Sequence, residues 1–230
     1  MPTRHTKKRS LSVRLFALGF LTLVCVFCSS PVFAQQRNYL IEVIVFENLS
    51  ESEKASSGGV YHPRVTSAIG LNSDKAVSLG FAQLDEAFAL EQAAEKIRNS
   101  GKYRLLKHFA WRQPGFDDNN AQAIQINIGN TIPIYLPEDT TPYETFIPAS
   151  LQPIPSKNRK INTTTVSGTL KVRLGRFLHL DTKLVFTDAD KQKSYRLSQS
   201  RKMRSNEFHY IDNPRFGLLV KILPLEDTSN

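Results

Sequence analysis

The fold of this chain is decided by two adjacent segments in its last third, VSGTLKVRLG (residues 166–175) and RFLHLDTKLVF (residues 176–186). In the first segment Leu170, Val172 and Leu174 alternate with Lys171 and Arg173, and in the second Leu178, Leu180, Leu184 and Phe186 share one parity. Period-two alternation places apolar side chains on one face of a β-strand and polar side chains on the other. The two segments therefore predict neighbouring strands of a sheet with one buried and one solvent-facing side. Two further strands are predicted after them, YRLSQSRKMR (195–204) and FGLLVKIL (216–223).

The solvent-facing positions of this predicted sheet are unusually basic. Cations at outward positions are Lys171, Arg173, Lys183, Arg196, Lys202 and Arg204. Guanidinium and ammonium groups held on a rigid sheet are suited to binding carboxylates. A row of lysine and arginine on a wet face can also serve only to keep a sheet soluble. On the first interpretation, the ligand-binding residues include Arg173, Arg196, Lys202 and Arg204.

Upstream of this region the sequence alternates between apolar runs and polar connections. Strands are predicted at 39–47, 103–112 and 124–128, the last ended by a turn at Gly129-Asn130, and one helix is predicted at 83–99 from apolar residues at helical spacing. Two long loops, 48–80 and 136–165, are rich in small residues or proline. The expected fold is α+β, with about six mainly antiparallel strands and one principal helix packed on them.

The amino terminus reads as an export signal. Five basic residues precede an apolar run from Leu15 to Cys28, and Val32-Phe33-Ala34 ends the segment with residues that a signal peptidase accepts. We expect residues 1–34 to be removed after Ala34, leaving residues 35–230 as a single periplasmic domain without a membrane span. The alternative, an uncleaved anchor, is disfavoured because the apolar run is shorter than the ~20 residues that a spanning helix needs.

The composition of the exported chain excludes cysteine chemistry and favours anionic binding partners. Both cysteines lie within the signal, so the mature chain has no disulfide and no thiolate metal site. Loss of five of the 30 basic residues leaves 25 against 21 acidic residues, a net charge of +4. Mild positive charge in an exported protein does not indicate nucleic acid, and it favours anionic partners of the cell envelope.

A second candidate for ligand contact is the single tryptophan, Trp111, which stands beside Arg112 and Gln113. An exposed indole can stack on an amino sugar while Arg112 holds a carboxylate. Because Trp111 shares strand parity with Phe109, the alternative is that it belongs to the core.

Motifs for catalysis are weak. The chain has neither G-x-S-x-G nor S-x-x-K, the arrangements of two large classes of serine enzymes. His179-x-Asp181 and Glu207-x-His209 each place two possible metal ligands on one side of a strand, but neither spacing is that of a usual zinc site. We predict no catalytic residues, no bound metal and no cofactor, with a metal-dependent hydrolase as the least favoured alternative.

Several segments together resemble the CsiV family, the periplasmic peptidoglycan-binding proteins of gammaproteobacteria that are linked to cell shape. The similar segments are YLIEVIVFEN (39–48), KYRLLKHFAWRQP (102–114), GTLKVRLGRFLHLD (168–181) and the stretch from Tyr195 to Ile222. The resemblance implies a non-enzymatic protein that binds peptidoglycan and supports its synthesis. It also implies a link to an outer-membrane lipoprotein that activates a class A penicillin-binding protein. An adaptor that binds such a lipoprotein without touching the wall is the alternative.

Overall fold

The computed structural model describes residues 37–50, 65, 67–85, 89–137 and 158–226. The described strands are β1 (Asn38–Asn48), β2 (Ala82–Leu84), β3 (Tyr103–Pro114), β4 (Ala123–Pro137), β5 (Asn158–Leu174), β6 (Leu178–Asp188), β7 (Lys193–Met203), β8 (Phe208–Asn213) and β9 (Phe216–Pro224). Two short helices, α1 (Asp74–Ser78) and α2 (Glu91–Arg98), lie between β1 and β3.

Nine strands form two antiparallel sheets in the described part of the chain. Sheet 1 has the order β2-β3-β1-β9-β8, and sheet 2 has the order β4-β5-β6-β7. One hydrophobic cluster joins inward-facing side chains of both sheets, so the sheets pack face to face. The alternation quoted at the outset is confirmed, because Leu170, Val172, Leu180 and Leu184 are buried in this cluster.

The expected α+β class is wrong. Of the described residues, 62% are in strands and 9% in helices, which makes the fold predominantly β. The helix predicted at 83–99 is reduced to α2, and the Leu84 end of that pattern forms the short edge strand β2. A helical stripe and a strand followed by a turn share apolar spacing over a few residues, and pairing of β2 with β3 decided between them.

Strand β1 is central in sheet 1 and is covered on both faces. Ile41, Val43 and Val45 face sheet 2, whereas Ile44 and Phe46 face outward and are buried beneath α2. The same outer face carries Glu42, whose carboxylate accepts hydrogen bonds from the backbone N–H groups of residues 89 and 90, each at 2.8 Å. A buried carboxylate from β1 thereby supplies the cap that α2 lacks in its own sequence.

The second predicted loop and the turn before it are also corrected. Residues 131–137 pair with 158–164, so both ends of the expected 136–165 loop belong to a long hairpin, and residues 138–157 lie outside the described residues. Gly129-Asn130 is a β-bulge within β4 rather than a turn, and Gly129 has φ +86°. Within the first predicted loop, 48–80, helix α1 is formed, and residues 51–64 and 66 are not described.

Gly168 marks a close approach of β5 to β6. Its φ is +138°, and a β-carbon at this position would overlap the Lys183 carbonyl oxygen. Glycine is the residue that allows both the backbone angle and the contact. In the register of β5 and β6, this close approach occurs where Gly168 lies opposite Leu184.

The predicted signal peptide, residues 1–34, lies outside the described residues. Within the described residues, no helix combines the length and the apolar character needed to cross a membrane.

Candidate ligand-binding surface

Cross-strand register brings the predicted cations together on the outer face of sheet 2. Arg173 lies opposite His179, which lies opposite Lys202, and Lys171 lies opposite Asp181. We call this surface the basic face; its cations are Lys171, Arg173, Lys183, Arg196 and Lys202. With strands ~4.8 Å apart and ~3.4 Å per residue, these cations cover a field about 10 Å by 20 Å.

Arg173 is held in place by acids on this face. Its Nε donates to Asp181 Oδ2 at 2.9 Å, its Nη1 donates to Asp118 Oδ1 at 2.7 Å, and its Nη2 donates to Ser200 Oγ at 3.3 Å. A ligand carboxylate would have to compete with Asp118 and Asp181 for the guanidinium. Arg173 is therefore a structural group that joins β5, β6 and β7, and it is less available to a ligand than the sequence predicts.

The electrostatics of this cluster follow from the same contacts. Partial burial raises the pKa of Asp181, but hydrogen bonds from Arg173 and Ser200 outweigh it and leave the pKa below its usual value. Hydrogen bonds to Asp181 and then to Asp118 raise the pKa of Arg173. Both shifts favour the charged forms of Arg173 and Asp181.

An exposed aromatic ring lies at one end of the basic face. Phe177, in the turn between β5 and β6, is 42% exposed, and Lys202 Nζ stands 3.2 Å from its ring centroid. The guanidinium of Arg176 lies 5.5 Å from the same centroid. An apolar ring flanked by two cations could contact the apolar part of a ligand through the ring and its anionic groups through the cations.

Two other predicted residues occupy the margin of this surface. Arg196 is half-buried in β7 and its Nη2 donates to Ser198 Oγ at 3.4 Å. Arg204 follows the end of β7, is exposed, and pairs with Glu207 at 3.5 Å. The predicted cations are therefore not all on one surface: Lys202 and Arg196 lie on the sheet, whereas Arg204 belongs to the turn that follows β7.

Trp111 and Arg112 do not join this surface. The Trp111 side chain is fully buried between the sheets, where Nε1 donates to Gln113 Oε1 at 2.9 Å, so an exposed stacking indole is ruled out and the core alternative holds. Gln113 in turn donates to the Val172 carbonyl at 3.3 Å and links sheet 1 to sheet 2. Arg112 is exposed, but it points away from sheet 2 because it alternates with Trp111.

The candidate metal pairs are occupied by local contacts. His179 Nδ1 lies 3.1 Å from the Phe177 carbonyl, and Asp181 is bound by Arg173. His209 Nε2 accepts the Arg204 N–H at 3.0 Å, which braces the turn after β7. The described residues contain no group of three or more histidine, cysteine or carboxylate side chains arranged to hold a metal ion.

A groove along one side of the sandwich was not predicted. It has a volume of about 380 Å³ and is bordered by residues 70–72, by β2 and β3 of sheet 1, and by β4 of sheet 2. Lys107 and Phe109 line it from one sheet, and Gln125 and Asn127 line it from the other. These residues come from distant segments, so no local pattern in the sequence could have joined them.

A family model described as "Peptidoglycan-binding protein, CsiV" matches residues 15–225. The chain belongs to the CsiV family. Its match extends over most of the sequence, including every described strand and both helices. No curated protein and no solved structure matches the chain. The resemblance found in the sequence is thereby confirmed.

In this CsiV-family chain, the exposed ring of Phe177 could have been predicted from the sequence. Phe177 falls at the same parity as His179 and Asp181, which are outward positions, and it directly follows Arg176. A large aromatic residue at a polar-face position, next to a cation, indicates a contact surface. The ion pair between Arg173 and Asp118 could not be predicted from the sequence, because the two residues are 55 positions apart.

Proposed function

We propose that this chain is a non-enzymatic periplasmic accessory protein that binds peptidoglycan through the basic face and supports cell-wall synthesis and cell shape. The observation that carries the proposal is the concentration of cations on one rigid sheet surface, in a chain of a family described as peptidoglycan-binding. Peptidoglycan stem peptides carry carboxylates, which are the anions that ammonium and guanidinium groups recognise.

The proposed contact is multivalent. An exposed ion pair contributes about 0.2–1 kcal/mol, so a single lysine would bind the wall weakly. Lys171, Lys183, Arg196 and Lys202 present several such contacts at fixed spacing, and a polymer with repeated carboxylates can engage them together. The expected binding is therefore reversible, dependent on several residues, and weakened by salt.

Co-sedimentation with purified peptidoglycan sacculi tests the proposal. The test variant carries Lys183→Ala, Arg196→Ala and Lys202→Ala. A charge-matched control carries Lys75→Ala, Lys96→Ala and Lys102→Ala, which removes three exposed cations outside the basic face. We expect the test variant to bind about tenfold more weakly at low salt, since three lost ion pairs are worth about 1–3 kcal/mol, and the control to bind nearly as the parent protein does.

Equal weakening of sacculus binding in both variants would show that only the net charge matters. Equal binding by the parent protein and the test variant would show that the basic face does not bind peptidoglycan. The second outcome would leave the face as solvated surface. Circular dichroism on all three proteins confirms that the variants are folded before binding is compared.

A further inference from the structure

The groove beside β4 exposes one edge of sheet 2. Along its other side β4 pairs with β5, whereas at the groove Ile69 makes a single parallel bridge: Ile69 N–H donates to the Ala123 carbonyl at 2.9 Å, and Gln125 N–H donates to the Ile69 carbonyl at 2.8 Å. The chain then turns away, since Ser73 N–H donates to the Gly70 carbonyl. In the described ranges, no strand continues this pairing past Gln125.

Backbone direction along β4 determines what this edge offers. Successive residues of a strand point their N–H and C=O groups to opposite sides. Because the Ala123 carbonyl and the Gln125 N–H face Ile69, the Gln125 carbonyl and both backbone groups of Asn127 face the same side, toward the groove. An extended peptide placed there would continue the bridge that Ile69 begins.

The side chains around this edge add charge and apolar contact. Lys107 is exposed and lines the groove, and it makes no ion pair with any acid in the described part of the chain. Phe109, which is half-buried and stacks on Trp111 with ring centroids 5.8 Å apart, provides an apolar wall. A carboxylate of an incoming peptide would be attracted to Lys107 while its apolar residues contact Phe109.

We propose that this groove binds an extended, acidic segment of a protein partner, added as a strand to β4 with a carboxylate on Lys107. A protein segment fits better than a peptidoglycan stem peptide, because a regular β-ladder requires consecutive residues of one chirality, whereas stem peptides mix L and D residues. This site is separate from the basic face and does not rest on peptidoglycan binding.

The test uses the purified protein and a fluorescent, terminally capped hexapeptide of alternating glutamate and valine. Two further probes have the same sequence with N-methyl groups on alternate amides. One probe is methylated on the odd-numbered amides and the other on the even-numbered amides, so that each lacks the N–H donors along one edge of the strand. Fluorescence anisotropy measures binding to the parent protein, to Lys107→Ala and to the matched control Lys102→Ala. Hydrogen exchange, followed residue by residue by NMR, reports whether the Asn127 amide is protected when the unmethylated peptide binds.

We expect the unmethylated peptide to bind, to slow exchange of the Asn127 amide, and to lose about two- to fivefold in affinity for Lys107→Ala but not for Lys102→Ala. One of the N-methylated versions should lose binding, because it lacks the donors that face β4. Sacculus binding of Lys107→Ala should equal that of the parent protein.

Three results would overturn the proposal. Equal binding of the unmethylated peptide and both methylated versions would show that no strand is added. Protection of the Asn127 amide before any peptide is present would show that another part of the chain or a second copy covers the edge. Unchanged peptide binding by Lys107→Ala, together with self-association of that variant, would assign Lys107 to protection of the edge against aggregation.

Discussion

Replacement of Arg173 by alanine tests whether this residue organises the basic face. In the parent protein, Arg173 and Asp181 have side chains that are 22% and 26% exposed and are joined at 2.9 Å. Asp118 is 67% exposed, so its contact with Arg173 contributes little. A hydrogen bond between charged groups is worth about 1.5–3 kcal/mol when it is largely shielded, and partial exposure reduces this. We therefore expect Arg173→Ala to lower the free energy of unfolding by about 2 kcal/mol at pH 7.

The pH dependence of this loss has a definite sign. The pKa of Asp181 is lowered in the folded state, so its pairing stabilises the fold above the unfolded pKa of ~3.9 and the contribution disappears as pH falls through the lower folded value. Arg173 stays charged throughout this range. The difference in unfolding free energy between the parent protein and Arg173→Ala should be constant from pH 7 to pH 5 and should shrink below about pH 4.

Urea denaturation at pH 7, 5 and 3, followed by circular dichroism, measures this difference. Lys202→Ala is the matched control, because Lys202 lies on the same face and contacts the Phe177 ring rather than an acid. Its expected cost is below about 1 kcal/mol and does not change over this pH range. An Arg173→Ala variant as stable as Lys202→Ala at pH 7, or one whose deficit is the same at pH 7 and pH 3, would refute the structural role of Arg173.

Three further predictions concern the scaffold. Gly168→Ala should cost about 3 kcal/mol or more in thermal unfolding, since the added methyl group overlaps a backbone carbonyl of β6, whereas Gly101→Ala, which meets no atom, should cost less than about 1 kcal/mol. Glu42→Gln should lower the free energy of unfolding in urea by about 3 kcal/mol and speed amide exchange in α2, because one of the two backbone N–H groups that the carboxylate accepts from would lose its acceptor. The half-exposed Glu91→Gln is the control and should change stability much less. Trp111 fluorescence should resist quenching by iodide and should not shift when sacculi are added; a shift on addition would mean that the indole is reached by the ligand.

Strands were predicted correctly where alternating or continuous apolar residues mark the buried face of the strand. Strands at β1, β3, β6 and β7 were predicted within a few residues, because their buried faces are marked by Ile, Val, Leu and Phe at period two or on both faces. Alternation also identified the outward cations of the basic face. On a strand with one buried and one exposed face, a charged residue lies on the exposed face, so its parity alone predicts its direction.

What the sequence could not reveal depends on contacts between distant segments. The helix predicted at 83–99 has apolar spacing that fits a longer helix, but pairing of Ala82–Leu84 with β3 converts its start to strand. Trp111 had two interpretations, and burial between two sheets decided between them once a second sheet existed. The number of sheets was itself inaccessible, since no local pattern shows that β4 to β7 pair among themselves rather than with β1 and β3.

The most direct test of the central claim compares sacculi before and after their carboxylates are converted to neutral amides. The parent protein is titrated against both preparations at the same low salt, and the bound fraction is measured by co-sedimentation. If the basic face binds the wall through its carboxylates, amidated sacculi should retain less than about one tenth of the affinity, and added salt should have little further effect. Equal affinity for the two preparations would contradict the account.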